Sequence, residues 1–367
     1  MEAADMSARC ARKRGACFNT GCYWARSDGV VRLEKCVLHG REVPVISLEE
    51  GEEAVVVSDL HLGLRYRDRF LTKFREFEEF LKRLVSRGPT LLVLLGDVLE
   101  LWSAKASEVF ATAYAPFRVL AKLDSKVLYV VGNHDRIVAH LNKKGLFENE
   151  NLVVAPEYVV IECKGKRGLF FHGHQLDWKF VKLKWLWRLE PYVYLLSEVL
   201  YALPWASEWV VAIGYIALLP TVMLVTRGAP LPLRMAAALS AMLLSAPLIV
   251  LFWRAIQDKF WYGIVHPLTR SRLRGKGLAS PAVSRALSNL LSLIEANGFG
   301  RVDFAVFGHT HVPELTRDRE GRLIANSGSW VEEPGKPCCT FVRISGGRVM
   351  LERWAGSSEE VLAVEPL

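Results

Sequence analysis

Residues 91–102 read Leu-Leu-Val-Leu-Leu-Gly-Asp-Val-Leu-Glu-Leu-Trp. Five apolar residues closed by a glycine and a carboxylate predict a buried strand that delivers Asp97 to a loop at its end. The same pattern recurs on both sides. Ala54–Ser58 is a β-branched run ending in Asp59-Leu60-His61, and Lys126–Val131 runs into Gly132-Asn133-His134-Asp135. A strand expected over 168–172 ends in His172-Gly173-His174, and Asp303–Phe307 ends in Gly308-His309-Thr310-His311. Between them, Phe70, Phe74, Phe77, Phe80, Leu81 and Leu84 recur at helical spacing and predict a helix over 68–87, stopped by Gly88-Pro89. A second helix is expected over 105–123, and further strands near 152–154, 158–162, 322–326, 339–345 and 348–353. Strands alternating with helices, then antiparallel-looking strands, imply a layered α/β (α+β) domain.

Strand ends in such a fold converge on one edge, where ligands bind. Six of the nine histidines fall in these five loops. Carboxylate, amide and imidazole donors together suit Mn²⁺, Fe or Zn²⁺ better than Ca²⁺. The donors are too many for one ion, so a carboxylate bridging two ions is the natural arrangement. Two ions about 3.5–4 Å apart clamp both oxygens of a phosphoryl displacement. One such loop alone would be weak evidence; five in order, each after an expected strand, are specific.

The ordered series DLH, GDVLE, GNHD, HGH and GHTH resembles the calcineurin-like metallophosphoesterase family over about residues 54–174 and 302–355. Within it, LLGDVLELW (94–102), GHTHVPE and NSGSWVE are similar to the UDP-2,3-diacylglucosamine pyrophosphatase-like branch, although that branch often has HGD where this chain has His172-Gly173-His174. The resemblance implies a four-layer sandwich of two mixed sheets flanked by helices. It implies that Asp59, His61 and His311 hold one divalent ion, that Asn133, His172 and His309 hold the other, and that Asp97 bridges them. The ions implied are Mn²⁺, with Fe, Zn²⁺ or Mg²⁺ as alternatives, and the nucleophile is a bridging hydroxide. His134 would protonate the leaving oxygen or stabilise the transition state, oriented by Asp135. His174, Asp177 and Lys179 open the insert and are candidate substrate contacts, with Asp177 equally suited to capping a helix. Glu100 is a candidate brace behind the ligands.

The segment 175–301 breaks the pattern. Trp209–Thr226 and Met235–Trp253 carry no charge, and seven of the eleven tryptophans lie between Trp178 and Trp261. Uncharged runs of this length with aromatic flanks fit a pair of transmembrane helices, 209–226 and 235–253. Phe180–Leu189 mixes Lys182, Lys184 and Arg188 with Trp185 and Trp187, which suits a helix on a membrane surface. The competing reading is a buried helical hairpin or a dimer interface. Arg270, Arg272, Arg274 and Lys276 form a basic run suited to lipid headgroups or substrate phosphate.

The net charge of +8 suits an anionic partner. Seven cysteines without CxxC pairs argue against a secreted disulfide framework, and the N-terminal four fit no standard zinc knuckle. Residues 1–30 are basic and polar with no apolar signal core, and read as a disordered arm. The chain is therefore expected to divide into that arm, a catalytic domain at 31–174 and 302–367, and the insert. The expected protein is a multi-pass hydrolase of the cell membrane with its catalytic domain in the cytoplasm. Its expected substrate is a lipid-linked or nucleotide-linked phosphoester or pyrophosphate. The alternatives are a nuclease or cyclic-nucleotide phosphodiesterase, with nucleic acid the less favoured partner, or a metal-bound scaffold.

Overall fold

The computed structural model describes residues 33–38, 41–66, 69–87, 91–102, 104, 106–123, 125–142, 151–177, 206–260, 271 and 273–367. The basic arm 1–30, Gly88-Pro89, Lys179, Phe180–Leu189, Arg270 and Arg272 lie outside the described residues.

In chain order the elements are β1 (Leu33–Leu38), β2 (Arg41–Leu48), β3 (Glu53–Val57), β4 (Arg65–Tyr66), β5 (Arg69–Phe70), α1 (Phe74–Arg87), β6 (Leu91–Leu95), α2 (Ala106–Leu120), β7 (Val127–Val130), α3 (Ile137–Asn142), β8 (Leu152–Ala155), β9 (Tyr158–Cys163) and β10 (Lys166–Phe171). After these come α4 (Ala206–Val225), α5 (Leu231–Phe260), α6 (Pro281–Ile294), β11 (Phe304–Phe307), β12 (Glu314–Arg317), β13 (Leu323–Asn326), β14 (Thr340–Ser345), β15 (Arg348–Trp354) and β16 (Glu359–Pro366).

Among the described residues two sheets have seven strands each, ordered β16-β15-β14-β3-β6-β7-β8 and β1-β2-β9-β10-β11-β13-β12. The runs β3-β6-β7-β8 and β10-β11-β13 are parallel. Strand alternation sorts the apolar residues into three layers of packing. Ala54, Val56, Leu91, Val93 and Leu95 face Ile46, Val159, Ile161, Phe170 and Val306 of the second sheet. Val55, Val57, Leu92 and Leu94 turn the other way and pack under Phe77, Phe80, Leu81 and Leu84 of α1. Leu169, Phe171, Ala305 and Phe307 pack under Val283, Leu287 and Leu291 of α6. The order is helix, sheet, sheet, helix, and the central parallel strands β6, β7 and β11 are buried on both faces, which is why they read as unbroken apolar runs. Truncating fully buried Phe80 to alanine removes a side chain of the size that typically costs about 3–5 kcal/mol.

The helix expected over 68–87 begins only at Phe74. Arg69 and Phe70 pair instead with Arg65 and Tyr66 in a short ribbon, Leu71 N–H donates to Leu64 O, and Thr72 Oγ1 donates to Leu60 O. Those ties to the Asp59–His61 loop outweigh local helical periodicity. Strands β1, β2, β12 and β16 also lie where no strand was expected.

Residues Glu190–Arg270 form a second compact unit. Its described part is the α4–α5 hairpin, closed by Tyr215 Oη donating to Met242 O (2.6 Å) and by Arg234 Nη2 donating to Met223 O (3.0 Å) across the turn. Within this unit Ile213, Ile216, Leu239, Leu243, Leu244 and Leu248 are exposed. Among the described residues only Leu231–Ile249 is long and apolar enough to cross a membrane. The apolar part of α4, Ala212–Val225, is shorter and would rise only about 21 Å at 1.5 Å per residue. Of the two spans expected at 209–226 and 235–253, only the second falls on a helix of that length and apolarity, with the window shifted to Leu231–Ile249.

Candidate metal centre

Each ligand loop leaves the C-terminal end of a parallel strand: Asp59 and His61 after β3, Asp97 after β6, Asn133 and His134 after β7, His172 after β10, and His309 and His311 after β11. Because these strands run the same way within each sheet, all five loops meet at one edge. The backbone there is strained. Asp59, His61, Asp97, His309 and His311 all have positive φ, between 44° and 68°. For residues with a Cβ this costs on the order of 1–2 kcal/mol each, and such conformations persist where surrounding bonds hold them. Asp59 N donates to Gly96 O, His61 N to Asp97 O, and Trp330 N to Asp59 O. Two glycines permit the close approach: a Cβ on Gly132 would strike the Asp97 carboxylate, and one on Gly308 would strike Ser58 and Asp59.

The donors form two groups. In the first, Asp59 Oδ1 lies 3.2 Å from His311 Nε2 and 3.8 Å from His61 Nε2, and the two imidazole nitrogens are 3.3 Å apart. In the second, Asp97 Oδ2 lies 3.1 Å from His172 Nε2, and His309 Nδ1 is 3.2 Å from the same nitrogen. Asp97 Oδ2 is also 3.8 Å from His61 Nε2, so this carboxylate stands between the groups. Asn133 is buried, and its Oδ1 has no hydrogen-bond partner.

The bonds behind these donors fix which atoms face inward. Ser58 Oγ (2.5 Å) and His309 N (2.8 Å) donate to Asp59 Oδ2, leaving Oδ1 for the site. His61 Nδ1–H donates to Glu100 Oε2 (2.7 Å), His311 Nδ1–H to Glu333 Oε1 (2.7 Å), and His172 Nδ1–H to Leu95 O (2.9 Å). In those tautomers the Nε2 lone pairs of His61 and His311 point into one space 3.3 Å across, beside a carboxylate oxygen. Only a cation or a proton relieves that arrangement, and an imidazole tied behind to a carboxylate is the usual form of a metal-binding histidine. The residues therefore fit divalent metal.

Charge follows the same pattern. Burial alone would raise Asp59, but the neighbouring His311 and His172 hold its carboxyl well below the usual range. Asp97 is held low against burial by His172 and His134, and Glu100 by His134 and His61. Burial opposes protonation of His61, yet its bonds to Asp59 and Glu100 outweigh that and take it up to about 10. His172 is taken up to about 9 in the same way by Asp97 and Asp59. Burial and the charge of His172 push His309 down to about 3. The cluster is thus a cage of ionised carboxylates drawing positive charge onto its imidazoles, the field a divalent ion would occupy.

The remaining expected residues are placed as follows. His134 is half-buried; its N–H donates to Asp97 Oδ1 (2.8 Å) and its Nδ1–H to Glu100 Oε1 (2.9 Å). Asp135 does not orient it. That carboxylate accepts instead from Val98 N, Gly132 N and Tyr129 Oη, so it braces the loops, and Glu100 takes the orienting role. Asp135 is raised, chiefly by burial and then by Asp97. His174 is buried beside His172, with ring centroids 5.6 Å apart. Asp177 is buried and accepts from Ser271 Oγ (3.0 Å), so it ties together the two ends of the insert rather than facing open solvent.

Glu333 was not expected. It follows the NSGSWVE stretch directly, and its acidic neighbourhood, Glu332-Glu333, was the available signal. Besides His311, it accepts from Arg274 Nη2 (2.7 Å) and Lys336 Nζ (2.5 Å), and these partners hold it well below the usual carboxylate range against the effect of burial. Asn326, in the same stretch, donates to Gly308 O and Thr310 Oγ1 and so pins the last ligand loop. Glu333→Gln is expected to weaken divalent-cation affinity by about 10–100-fold, the usual effect of losing such a support. Isothermal titration with Mn²⁺ checks this, and affinity equal to wild type would remove Glu333 from the centre.

Among solved structures, the chain is similar to the phosphoesterase Yfce from E. coli (15% identity, 86% of this chain and 98% of that one, TM-score 0.38). It is similar to Vps29 from Entamoeba histolytica, complexed with zinc (12%, 86% and 98%, TM-score 0.35), and to a dimetal phosphatase from Danio rerio (11%, 86% and 99%, TM-score 0.42). Overlaps of this size say nothing about substrate. No curated protein matches the sequence. The family model for the calcineurin-like phosphoesterases matches residues 54–313. Because that span holds all five ligand loops, the chain belongs to the calcineurin-like phosphoesterase family and is a phosphoester hydrolase.

Proposed function

We propose that the protein is a membrane-held, two-metal hydrolase acting on a lipid-linked or nucleotide-linked phosphoester or pyrophosphate. The observation that carries the reading is the exposed apolar hairpin α4–α5, inserted between the fourth and fifth ligand loops. Two divalent ions, Mn²⁺ in this reading, would supply Lewis-acid clamping of the phosphoryl group and activation of water. Asp59, His61 and His311 would hold one; Asn133, His172 and His309 would hold the other; Asp97 would serve both. His134 keeps Nδ1 on Glu100 and leaves Nε2, 3.9 Å from Asp97 Oδ2, as the atom that can pass a proton to a leaving oxygen. The likeness of residues 94–102 to the UDP-2,3-diacylglucosamine pyrophosphatase-like branch favours a pyrophosphate linkage.

Detergent-purified protein with Mn²⁺, screened against lipid-linked diphosphates, nucleotide diphosphates, cyclic nucleotides and single-stranded DNA, tests the substrate. Turnover is expected on the first two classes. Cleavage confined to the last two would replace this reading with a nuclease or cyclic-nucleotide phosphodiesterase, and no turnover on any substrate would favour a scaffold.

The ligand loops flank the insert and belong to one compact unit, and in this reading both ends of the insert would therefore share one side of the membrane. Arg254 and Lys259 after the second apolar run favour the cytoplasmic side, although Arg227 and Arg234 lie in the turn. In a background without native cysteines, Ala229→Cys is expected to react with an impermeant maleimide added to intact cells, and Lys276→Cys is not. Protection of both, with release of the protein by carbonate, would make the hairpin a peripheral or soluble element.

A further inference from the structure

Outside the metal loops, two described residues other than glycine have positive φ: Lys164 and Cys339. Lys164 is accounted for. With Gly165 it forms the two-residue turn between β9 and β10, where both positions need positive φ. Cys339, at φ 63°, sits just before β14 and has no such turn to make. What its conformation does is local. Consecutive side chains of an extended strand point to opposite faces, but here the sulfurs of Cys338 and Cys339 lie 3.7 Å apart on one side of the chain.

In this structure the Cys339 thiol donates to Cys338 Sγ across that separation, which suits an ion in place of the shared proton better than a disulfide. Neighbouring Cα atoms across a trans peptide are about 3.8 Å apart, short of the about 4.4–6.8 Å that disulfides usually span. Two thiolates bound at about 2.3 Å to a tetrahedral zinc-class ion, by contrast, stand about 3.8 Å apart. The placement is held from behind: Cys339 N donates to Ser329 O, Trp354 N donates to Cys339 O, and Cys339 packs against Trp330, Phe341 and Trp354. Cys338 is half-buried, so the pair opens to solvent on its side.

We propose that Cys338 and Cys339 form a two-thiolate site for a zinc-class ion, Zn²⁺ or Cd²⁺, apart from the histidine–carboxylate centre. Water or an external ligand completes the coordination. On binding, the Cys339 thiol gives up its proton to solvent, and both sulfurs donate a lone pair to the ion with no change of oxidation state. The hydrogen bond from the Cys339 thiol, together with the charges of Lys73 and Arg353, brings Cys338 down to about 6 despite partial burial, while the same bond and burial hold Cys339 well above the usual thiol range, so Cys339 carries the one proton that the ion displaces.

The test uses the full chain with Cys10, Cys17, Cys22, Cys36 and Cys163 replaced by serine, titrated with Cd²⁺. Sulfur-to-cadmium charge transfer absorbs in the ultraviolet, and carboxylate or imidazole ligands give no such band. One thiolate-bound ion per chain is expected, with the band lost in Cys338→Ser and in Cys338→Ala while circular dichroism stays unchanged. Absence of the band in the parent protein, or its persistence in either variant, would overturn the proposal.

Discussion

Asp97→Asn is expected to remove turnover more completely than substitution of any other ligand, by about 10³-fold or more. The scale comes from a bridging carboxylate that serves two ions. Loss of several kcal/mol of transition-state stabilisation is about three powers of ten in rate. The structure gives the reason why this position differs from its neighbours. Asp97 Oδ2 is within 3.1 Å of His172 Nε2 on one side and 3.8 Å of His61 Nε2 on the other, while Asp59 Oδ1 has its close imidazole nitrogens in the first group, at His311 and His61. Its Oδ1 is already committed to His134 N, so an amide in its place also puts an N–H where one acceptor is needed. Metal analysis of the purified variant should show a fall at both sites, whereas Asp59→Asn should leave one ion in place. Two ions per chain with normal turnover in Asp97→Asn would rule out the bridging role.

His134→Ala is expected to keep both ions and to lower kcat by about 10²–10⁴-fold, the usual contribution of a placed proton donor. The loss should shrink for substrates whose leaving group needs no proton. If good and poor leaving groups suffer equally, His134 is not the general acid. Glu100 adds a second arm to this experiment, because one carboxylate holds the Nδ1 atoms of both His61 and His134. Glu100→Gln should therefore lower both metal affinity and the leaving-group sensitivity of kcat, a combination that His134→Ala cannot produce.

These expectations rest on residues that the sequence made visible to different degrees. Asp59, Asp97, Asn133 and His309 were legible because each closes an apolar run within a few residues, and a parallel strand buried on both faces has no other way to read. The glycines beside them, Gly96, Gly132 and Gly308, were part of the same signal, and the structure shows why. Two of them leave room for a carboxylate that a Cβ would displace. Glu333 was hidden because it lies 22 residues from His311 and reaches it only through the packing of the 327–336 segment. The sequence carries no periodicity for such a contact. Asp135 was misjudged for the converse reason. The family resemblance implied that Asp135 orients His134, but consecutive residues leave a tight loop in different directions, and Asp135 turns back to Val98, Gly132 and Tyr129.

The sequence alone determined the layered α/β class, the five ligand loops and the apolar character of the insert, because each depends on local composition and strand order. The resemblance already implied Asp97 as the carboxylate between the two donor groups; only the tertiary structure decided which atoms of each imidazole face inward, and that Glu100 rather than Asp135 holds His134. It also decided that α1 starts at Phe74, where ties from Leu71 and Thr72 to the first ligand loop override helical spacing. Those outcomes depend on contacts between segments far apart in the chain. Hydrogen-bond geometry at that range is set by how the two sheets pack, and no window of sequence contains it.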